Sequence, residues 1–175
     1  MISQILKLSD NQIKTTDNLN NITFSFCDFS NEELCSKLAA LIDQYIVDPM
    51  GGGTRQTPLQ QLRLVDGLAS HPSSFVLFIL NNQQIIGLAT CFINFSTFKA
   101  KPYINIHDLI IEHNFRAQGF GKCLLQQIES ISKDRNYCKI TLEVREDNRA
   151  AKNLYSNLGF KDIQPKMDFW TKELI

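Results

Sequence analysis

The chain has 175 residues, 43% hydrophobic and 21% charged, a balance that suits one folded domain over residues 1–175 with a sizeable core. Its 18 basic and 18 acidic side chains cancel, which argues against an extended footprint for nucleic acid or an anionic membrane. No apolar run approaches the roughly 20 residues that cross a bilayer, and MISQILKLSD lacks the basic head and apolar core of a signal peptide, so a cytoplasmic setting is expected. The five cysteines, Cys27, Cys35, Cys91, Cys123 and Cys138, show no Cys-x-x-Cys spacing and read mostly as small core hydrophobes. His71, His107 and His113 form no ligand spacing with acids or cysteines, and no metal is expected.

Residues 1–21 read as an N-terminal extension, either a short added strand or hairpin or partly disordered. Ile22 to Cys27 alternates as a first strand. Ser30-Asn31-Glu32-Glu33 reads as a capping box with Ser30 as the cap. The helix that follows carries Leu34, Leu38, Leu41, Ile42, Tyr45 and Ile46 on one face and stops at Asp48-Pro49. Gly51-Gly52-Gly53 loses much conformational entropy on ordering, so its reading stays open between a plain connector, a mobile lid and a ligand pressing on main chain. Thr57-Pro58-Leu59-Gln60 is a second capping box, opening a helix to about Ala69. Phe75 to Leu80 and Gln84 to Phe95 form a hairpin, with Gly87 as a bulge or a point of close approach. A loop, Ser96 to Pro102, leads to a strand from Tyr103 to Ile111.

After that strand comes Arg116-Ala117-Gln118-Gly119-Phe120-Gly121-Lys122, then a helix with Phe120, Leu124, Leu125, Ile128 and Ile131 on one face. A helix opening on such a turn offers unpaired backbone N–H groups and the positive end of its dipole, a ready phosphate site. A dinucleotide fingerprint needs a glycine where Leu124 stands; a P-loop needs one at Arg116 and a hydroxyl at Cys123. Both fail. Tyr137 to Arg145 reads as another strand. Asp147 or Asn148 caps a helix bearing Ala151, Leu154, Tyr155 and Leu158, stopped by Gly159-Phe160. Phe160 to Ile163 and Met167 to Leu174 read as closing strands.

The surviving pattern, Arg-x-x-Gly-x-Gly after a strand, resembles the acetyl-CoA signature of the GNAT N-acetyltransferase superfamily. The run Asn148 to Phe160 fits Asn-x-x-Ala-x-x-Leu-Tyr-x-x-x-Gly-Phe, which that superfamily carries after its fifth strand. The order of elements from Ile22 to Leu174 is similar too. The resemblance implies an α/β (α+β) fold, a mixed, mostly antiparallel sheet of about six to seven strands flanked by four helices. It implies acetyl transfer from acetyl-CoA to a primary amine of a small molecule, by direct attack in a ternary complex. A protein N-terminal or lysine acetyltransferase, or a non-catalytic acyl-CoA-binding module, are the alternatives.

The resemblance also implies roles. Acetyl-CoA would lie where the strand from Tyr103 and the strand from Tyr137 splay, against Leu109, Ile110 and Ile111. Its pyrophosphate would sit on the Arg116–Lys122 turn, including Ala117, Gln118, Gly119, Phe120 and Gly121. Asn148, Ala151 and Tyr155 would complete the donor site, with Tyr155 as the acid for the leaving thiolate. His107-Asp108 is similar to the acidic stretch of diamine N-acetyltransferases; His107 or Asp108 is the expected base, with Glu143 acting through water as another choice. Asp48, Met50, Gly51, Gly52, Phe98 and Asp108 are the candidate acceptor contacts. Asp43, Asp48 and Asp108 suit an ammonium, and Arg55 and Arg63 suit a carboxylate. A homodimer through terminal strands is expected by analogy alone.

Overall fold

Asn31, not Ser30, starts the first helix. Its side-chain oxygen accepts the N–H groups of Glu33 at 3.0 Å and Leu34 at 3.1 Å. Ser30 is occupied one step earlier, its N–H and hydroxyl both donating to Asp28 Oδ1. The aspartate turn takes the serine and hands capping to its neighbour.

The computed structural model describes residues 21–174. The reading of an added strand or hairpin before Asn21 lies outside the described residues. The chain divides into two compact units, the first ending at Glu143 and the second beginning at Val144.

The first unit runs β1 (Ile22–Phe26), α1 (Glu32–Ile46), α2 (Pro58–Ser70), β2 (Ser74–Asn81), β3 (Gln84–Ser96), β4 (Lys101–Ile111), α3 (Phe120–Asp134) and β5 (Ile140–Leu142). The sheet order is β1-β2-β3-β4-β5. β1 to β4 pair antiparallel, and β5 joins β4 in parallel. The sheet is mixed and mostly antiparallel, as expected, with five strands among the described residues instead of six or seven.

One face of the sheet meets α1 and α2. Leu38, Leu41, Ile42 and Leu68 pack there against Val76, Phe78, Leu88 and Ile110. Each such side chain contributes on the order of 1.5–3 kcal/mol when fully buried. The opposite face carries buried Leu77, Ile79, Ala89, Cys91, Ile104 and Ile106. The apolar stripe of α3, Phe120, Leu124, Leu125, Ile128 and Ile131, is also buried, and α3 runs along β4. Thr57 and Gln60 form the expected reciprocal box, with Pro58 in the first turn of α2.

Two irregularities shape the sheet. Gly87 pairs with both Ile79 and Ile111, and a Cβ there would collide with the carbonyl of Ile110 and lie 2.7 Å from Ile111 Cδ1. Gly87 is thus a point of close approach. A bulge interrupts β4: Thr90 faces Asp108 and Cys91 faces Ile106, leaving His107 as the extra residue.

The second unit holds α4 (Arg149–Asn157). Residues 161–174 contain no helix or strand, which corrects the expectation of closing strands. A strand needs a neighbouring edge, and among the described residues of this unit no second strand offers one. Ile163, Met167, Phe169, Trp170 and Leu174 are exposed there. The strand expected from Tyr137 to Arg145 shrinks to Ile140–Leu142, because its ladder on β4 stops at Ile106, one residue before the bulge.

Candidate active site

The turn between β4 and α3 is built to leave backbone donors open. A short 3-10 turn, His113–Phe115, follows β4. Then Ala117 (φ 60°) and Gly119 (φ 92°) adopt left-handed backbone around Gln118. The Gln118 side chain braces the turn by donating to the Asn114 carbonyl at 2.9 Å. The rings of Phe115 and Phe120, one on each side, meet edge to face with centroids 6.0 Å apart. Gly119 is the N-cap of α3 and offers no side-chain oxygen. Cys123 N–H makes the first helical bond, to the Gly119 carbonyl. Among the described residues, no carbonyl or side chain takes the N–H groups of Gln118, Gly119, Phe120, Gly121 and Lys122. Such a concave set of N–H groups at a helix start favours a phosphate.

The strand before it has an open edge. β4 pairs with β3 as far as Ile111 but with β5 only from Ile104 to Ile106. Glu112 N–H donates to the Ile86 carbonyl on β3, so by strand alternation Leu109 and Ile111 turn their backbone groups the other way. The Ile111 carbonyl accepts from Arg116 Nε at 3.0 Å. The backbone groups of Leu109 and the N–H of Ile111 line an edge that an extended, amide-bearing ligand can join as an added strand. Ile110 is the exception among the three expected donor contacts: its side chain is buried in the core.

The bulge decides what accompanies that edge. By simple alternation His107 and Asp108 would face opposite sides. Instead Asp108 pairs with Thr90, on the face of Leu88 and Ile110, and the His107 ring meets Phe92 of that same face edge to face, centroids 5.7 Å apart. Phe92 also receives the edge of His71, at 4.9 Å, from the end of α2. Burial raises the proton affinity of Asp108, opposed by the nearby His107 and by the Thr90 hydroxyl. The Thr90 oxygen itself is buried and makes no well-formed hydrogen bond. A half-buried carboxylate with a raised proton affinity beside an imidazole is a candidate general base. Glu143, just past β5, is exposed.

Several acceptor contacts expected from sequence are occupied elsewhere. Asp43 is buried and accepts from Arg55 Nη1 at 2.6 Å and Gln56 N–H at 2.7 Å, so Asp43 is not left for a ligand, while the rest of the Arg55 side chain is exposed. Arg63 is exposed on α2, away from buried Leu68. Phe98, at the tip of the β3–β4 loop, is fully exposed. The glycine run wraps the end of α1: Gly51 and Gly52 N–H donate to the Asp48 carbonyl and Gly53 N–H to the Ile46 carbonyl, at 2.8–2.9 Å. A Cβ on Gly51 would collide with the Tyr45 carbonyl. Its glycines serve this tight wrap, and Met50 N–H donates to Asp48 Oδ1 at 2.9 Å. The other Asp48 oxygen accepts from Arg116 Nη1 at 2.7 Å. These bonds hold the Asp48 carboxyl below the ordinary range, Met50 first and Arg116 second. Burial and then Cys35 push the Cys27 thiol up to about 12, and burial also raises Cys91, so neither of these two is disposed to act as a thiolate.

Within the second unit, Asn148 caps α4 by accepting from Ala151 N–H at 3.1 Å. The helix ends in a Schellman motif. Phe160 N–H bonds the Tyr155 carbonyl, Gly159 N–H (φ 85°) bonds the Ser156 carbonyl, and the rings of Tyr155 and Phe160 lie 5.9 Å apart. The half-exposed Tyr155 is thereby held at a defined place on the last turn. An open concavity at the helix start is lined by Arg145, Asp147, Arg149 and Lys152 among others, with Arg145 spanning both oxygens of Asp147.

The family model for the acetyltransferase (GNAT) family matches residues 38–160. The chain belongs to that family. This GNAT protein is 29% identical over 96 residues to the ribosomal protein bS18-alanine N-acetyltransferase of Haemophilus influenzae, covering 55% of this chain and 61% of that relative. It is 25% identical over 79 residues to the thialysine N-epsilon-acetyltransferase of Bos taurus, covering 45% and 46%. The match thus spans about half to three-fifths of these relatives. An aminoglycoside acetyltransferase from an uncultured soil metagenomic sample superposes with a TM-score of 0.69 at 18% identity, over 88% of this chain and 98% of that one. A crystal structure described as a probable acetyltransferase gives 0.73 at 17%, over 87% and 97%. These likenesses establish the fold.

Sequence reading missed the Asp48–Arg116 pair, the wall formed by Phe92 and His71, and the cations Arg149 and Lys152. The His-Pro at the end of α2 was visible as a helix stop, but nothing local said that its ring would reach β3.

Proposed function

We propose that the protein is an acetyl-CoA-dependent N-acetyltransferase acting on the primary amine of a small molecule. The observation that carries the proposal is the adjacency of two unfilled backbone surfaces in one stretch of chain: the N–H cradle at 118–122 and the open β4 edge at Leu109 and Ile111. Acetyl-CoA has a pyrophosphate and an amide-bearing arm, which match these in kind. The cradle holds the phosphates. Leu109 and Ile111 orient the arm, and one of their N–H groups polarises the thioester carbonyl. Asp108, with His107 beside it, draws the proton from the attacking ammonium, directly or through water. The freed amine nitrogen forms its bond to the acetyl carbon, the carbon–sulfur bond breaks, Tyr155 gives its proton to the leaving thiolate, and the second proton shed by the nitrogen restores Tyr155 through water. Tyr155 and the donor contacts Asn148 and Ala151 rest on their match to the family motif. A cytoplasmic setting belongs to the same proposal.

The small-molecule reading draws on the thialysine relative and the aminoglycoside-modifying neighbour. A second reading, acetylation of a protein N-terminus, draws on the bS18-alanine relative. Thiol release from acetyl-CoA, measured over amines, amino acids, polyamines, aminoglycosides and an alanine-initiated peptide, separates them. Turnover confined to the peptide would replace the first reading by the second, and absence of any thermal shift with acetyl-CoA would sink both. In the active assay, Tyr155→Phe is expected to lower kcat about 10²-fold with little change in acetyl-CoA affinity. An unchanged rate across pH would remove Tyr155 from the chemistry.

A further inference from the structure

Arg116 stands at the rim of the N–H cradle, where its charge looks available to a phosphate. Its side chain is instead engaged twice, by the Ile111 carbonyl at 3.0 Å and by Asp48 at 2.7 Å. Asp48 is engaged on both oxygens and on its carbonyl: Met50 N–H and Arg116 take the carboxylate, and Gly51 and Gly52 N–H take the carbonyl. One aspartate therefore fixes the wrap at the end of α1 and, across 68 residues, the side chain that opens the phosphate turn. Arg116 in turn caps the last carbonyl of the open β4 edge. A surface pair with single contacts would contribute little. Here each member has a second, backbone partner, so the pair joins three backbone segments: residues 48–53, the end of β4, and the start of the cradle.

We infer that Asp48 is a positioning residue for the donor site, acting through Arg116 to hold the cradle and the end of β4 in register, and that Arg116 serves as a clamp rather than as a phosphate ligand. The inference rests on the donor reading proposed above. It has a sign that plain electrostatics does not share. Removing a carboxylate beside a polyanion site should tighten anion binding, by an amount that salt screens away. Removing a positioner should loosen it at any salt.

Two measurements test this. In the first, CoA binding is followed by calorimetry at low and high salt for the wild type, Asp48→Asn, Arg116→Gln and the double variant, with Asp66→Asn on the exposed side of α2 as control. Expected are losses of about threefold or more for each single variant, a double variant no weaker than the worse single one, and an unchanged control. Tighter or unchanged binding by Asp48→Asn, or additive losses, would overturn the inference. In the second, amide exchange is followed in the ligand-free protein. Arg116→Gln should speed exchange at Met50 to Gly53, far away in sequence. Unaltered exchange there would refute the clamp whatever CoA does. Failure of the wild type to bind CoA would instead strike the donor reading, and the exchange arm still reads the clamp. If Asp48→Asn does not fold, Arg116→Gln carries both tests from the other side.

Discussion

Gly87→Ala is the smallest change that reaches both the fold and the candidate chemistry. The added carbon would collide with the Ile110 carbonyl, stand 2.7 Å from Ile111 Cδ1 and 3.2 Å from Ile79 Cγ2. The first of these is backbone, on a strand paired along its whole length with β3, and cannot swing aside as a side-chain end can. Relief therefore means moving the end of β4 by several tenths of an ångström. Overpacking of this kind typically destabilises by about 1–3 kcal/mol. For a chain of this size each kcal/mol lowers Tm by roughly 2–4 °C, so the expected fall is about 2–12 °C. The displaced segment includes Leu109 and Ile111, the proposed partners of the donor's arm. Since a misplacement near 1 Å can cost about 10²-fold, a loss in kcat/KM of roughly 10- to 100-fold should accompany the fall in Tm. Thermal melting and thiol-release kinetics on one preparation read both. A variant that melts within a degree of wild type and keeps its rate would show that β3 and β4 are not so closely apposed. A Tm loss without a rate loss would detach the β4 edge from the chemistry.

Other outcomes follow from particular groups. Asp108 has a raised carboxyl pKa in the folded chain, chiefly through burial. The folded state then holds more protons than the unfolded one between the ordinary and the raised value, so this group's contribution to stability declines as pH rises through that window. Asp108→Asn should melt higher than wild type above the window and no higher below it, while kcat falls about 10²–10⁴-fold if Asp108 is the base. A Tm difference independent of pH would contradict the burial argument. Asn31→Ala should lose about 0.5–2 kcal/mol as α1 loses its cap, seen as a lower denaturation midpoint, while Ser30→Ala loses less; the reverse order would restore Ser30 as the cap.

What the sequence disclosed was what neighbouring residues decide among themselves. Thr57-Pro58-Gln60, the uncapped Gly119 and the Gly159-Phe160 stop each carry their geometry within one turn of chain, and each is found as read. The backbone geometry of the 116–122 turn was legible for that reason. The acceptor side was not, because partners distant in sequence decide it. Asp43 and Asp48 both looked available until Arg55 and Arg116 were seen to hold them. Ser30 and Asn31 are equally good caps on paper, and Asp28 breaks the tie. His107 and Asp108 share a face only because β3 holds β4 with one residue to spare, which no alternation pattern shows. The closing strands failed for a related reason: alternation shows that a segment is fit for an edge, not that an edge is there to meet it.

The bulge at His107 makes the register of β4 on β3, and not its composition, decide which layer its later residues fill. Before it, Ile104 and Ile106 fill one layer; after it, Asp108 and Ile110 fill the other. One strand thus supplies both sides of the sheet by changing phase midway. An exchange of side chain at 107 would leave that phase intact, and deletion of His107 would close Ile106 onto Asp108 in a regular ladder, with Asp108 still opposite Thr90 and Ile110 still opposite Leu88. A register slip that paired His107 with Thr90 would instead turn the carboxylate to the other layer and take Ile110 from its place opposite Leu88. The side chain at 107 can therefore be varied, while Asp108 and Ile110 keep the faces that the register assigns them.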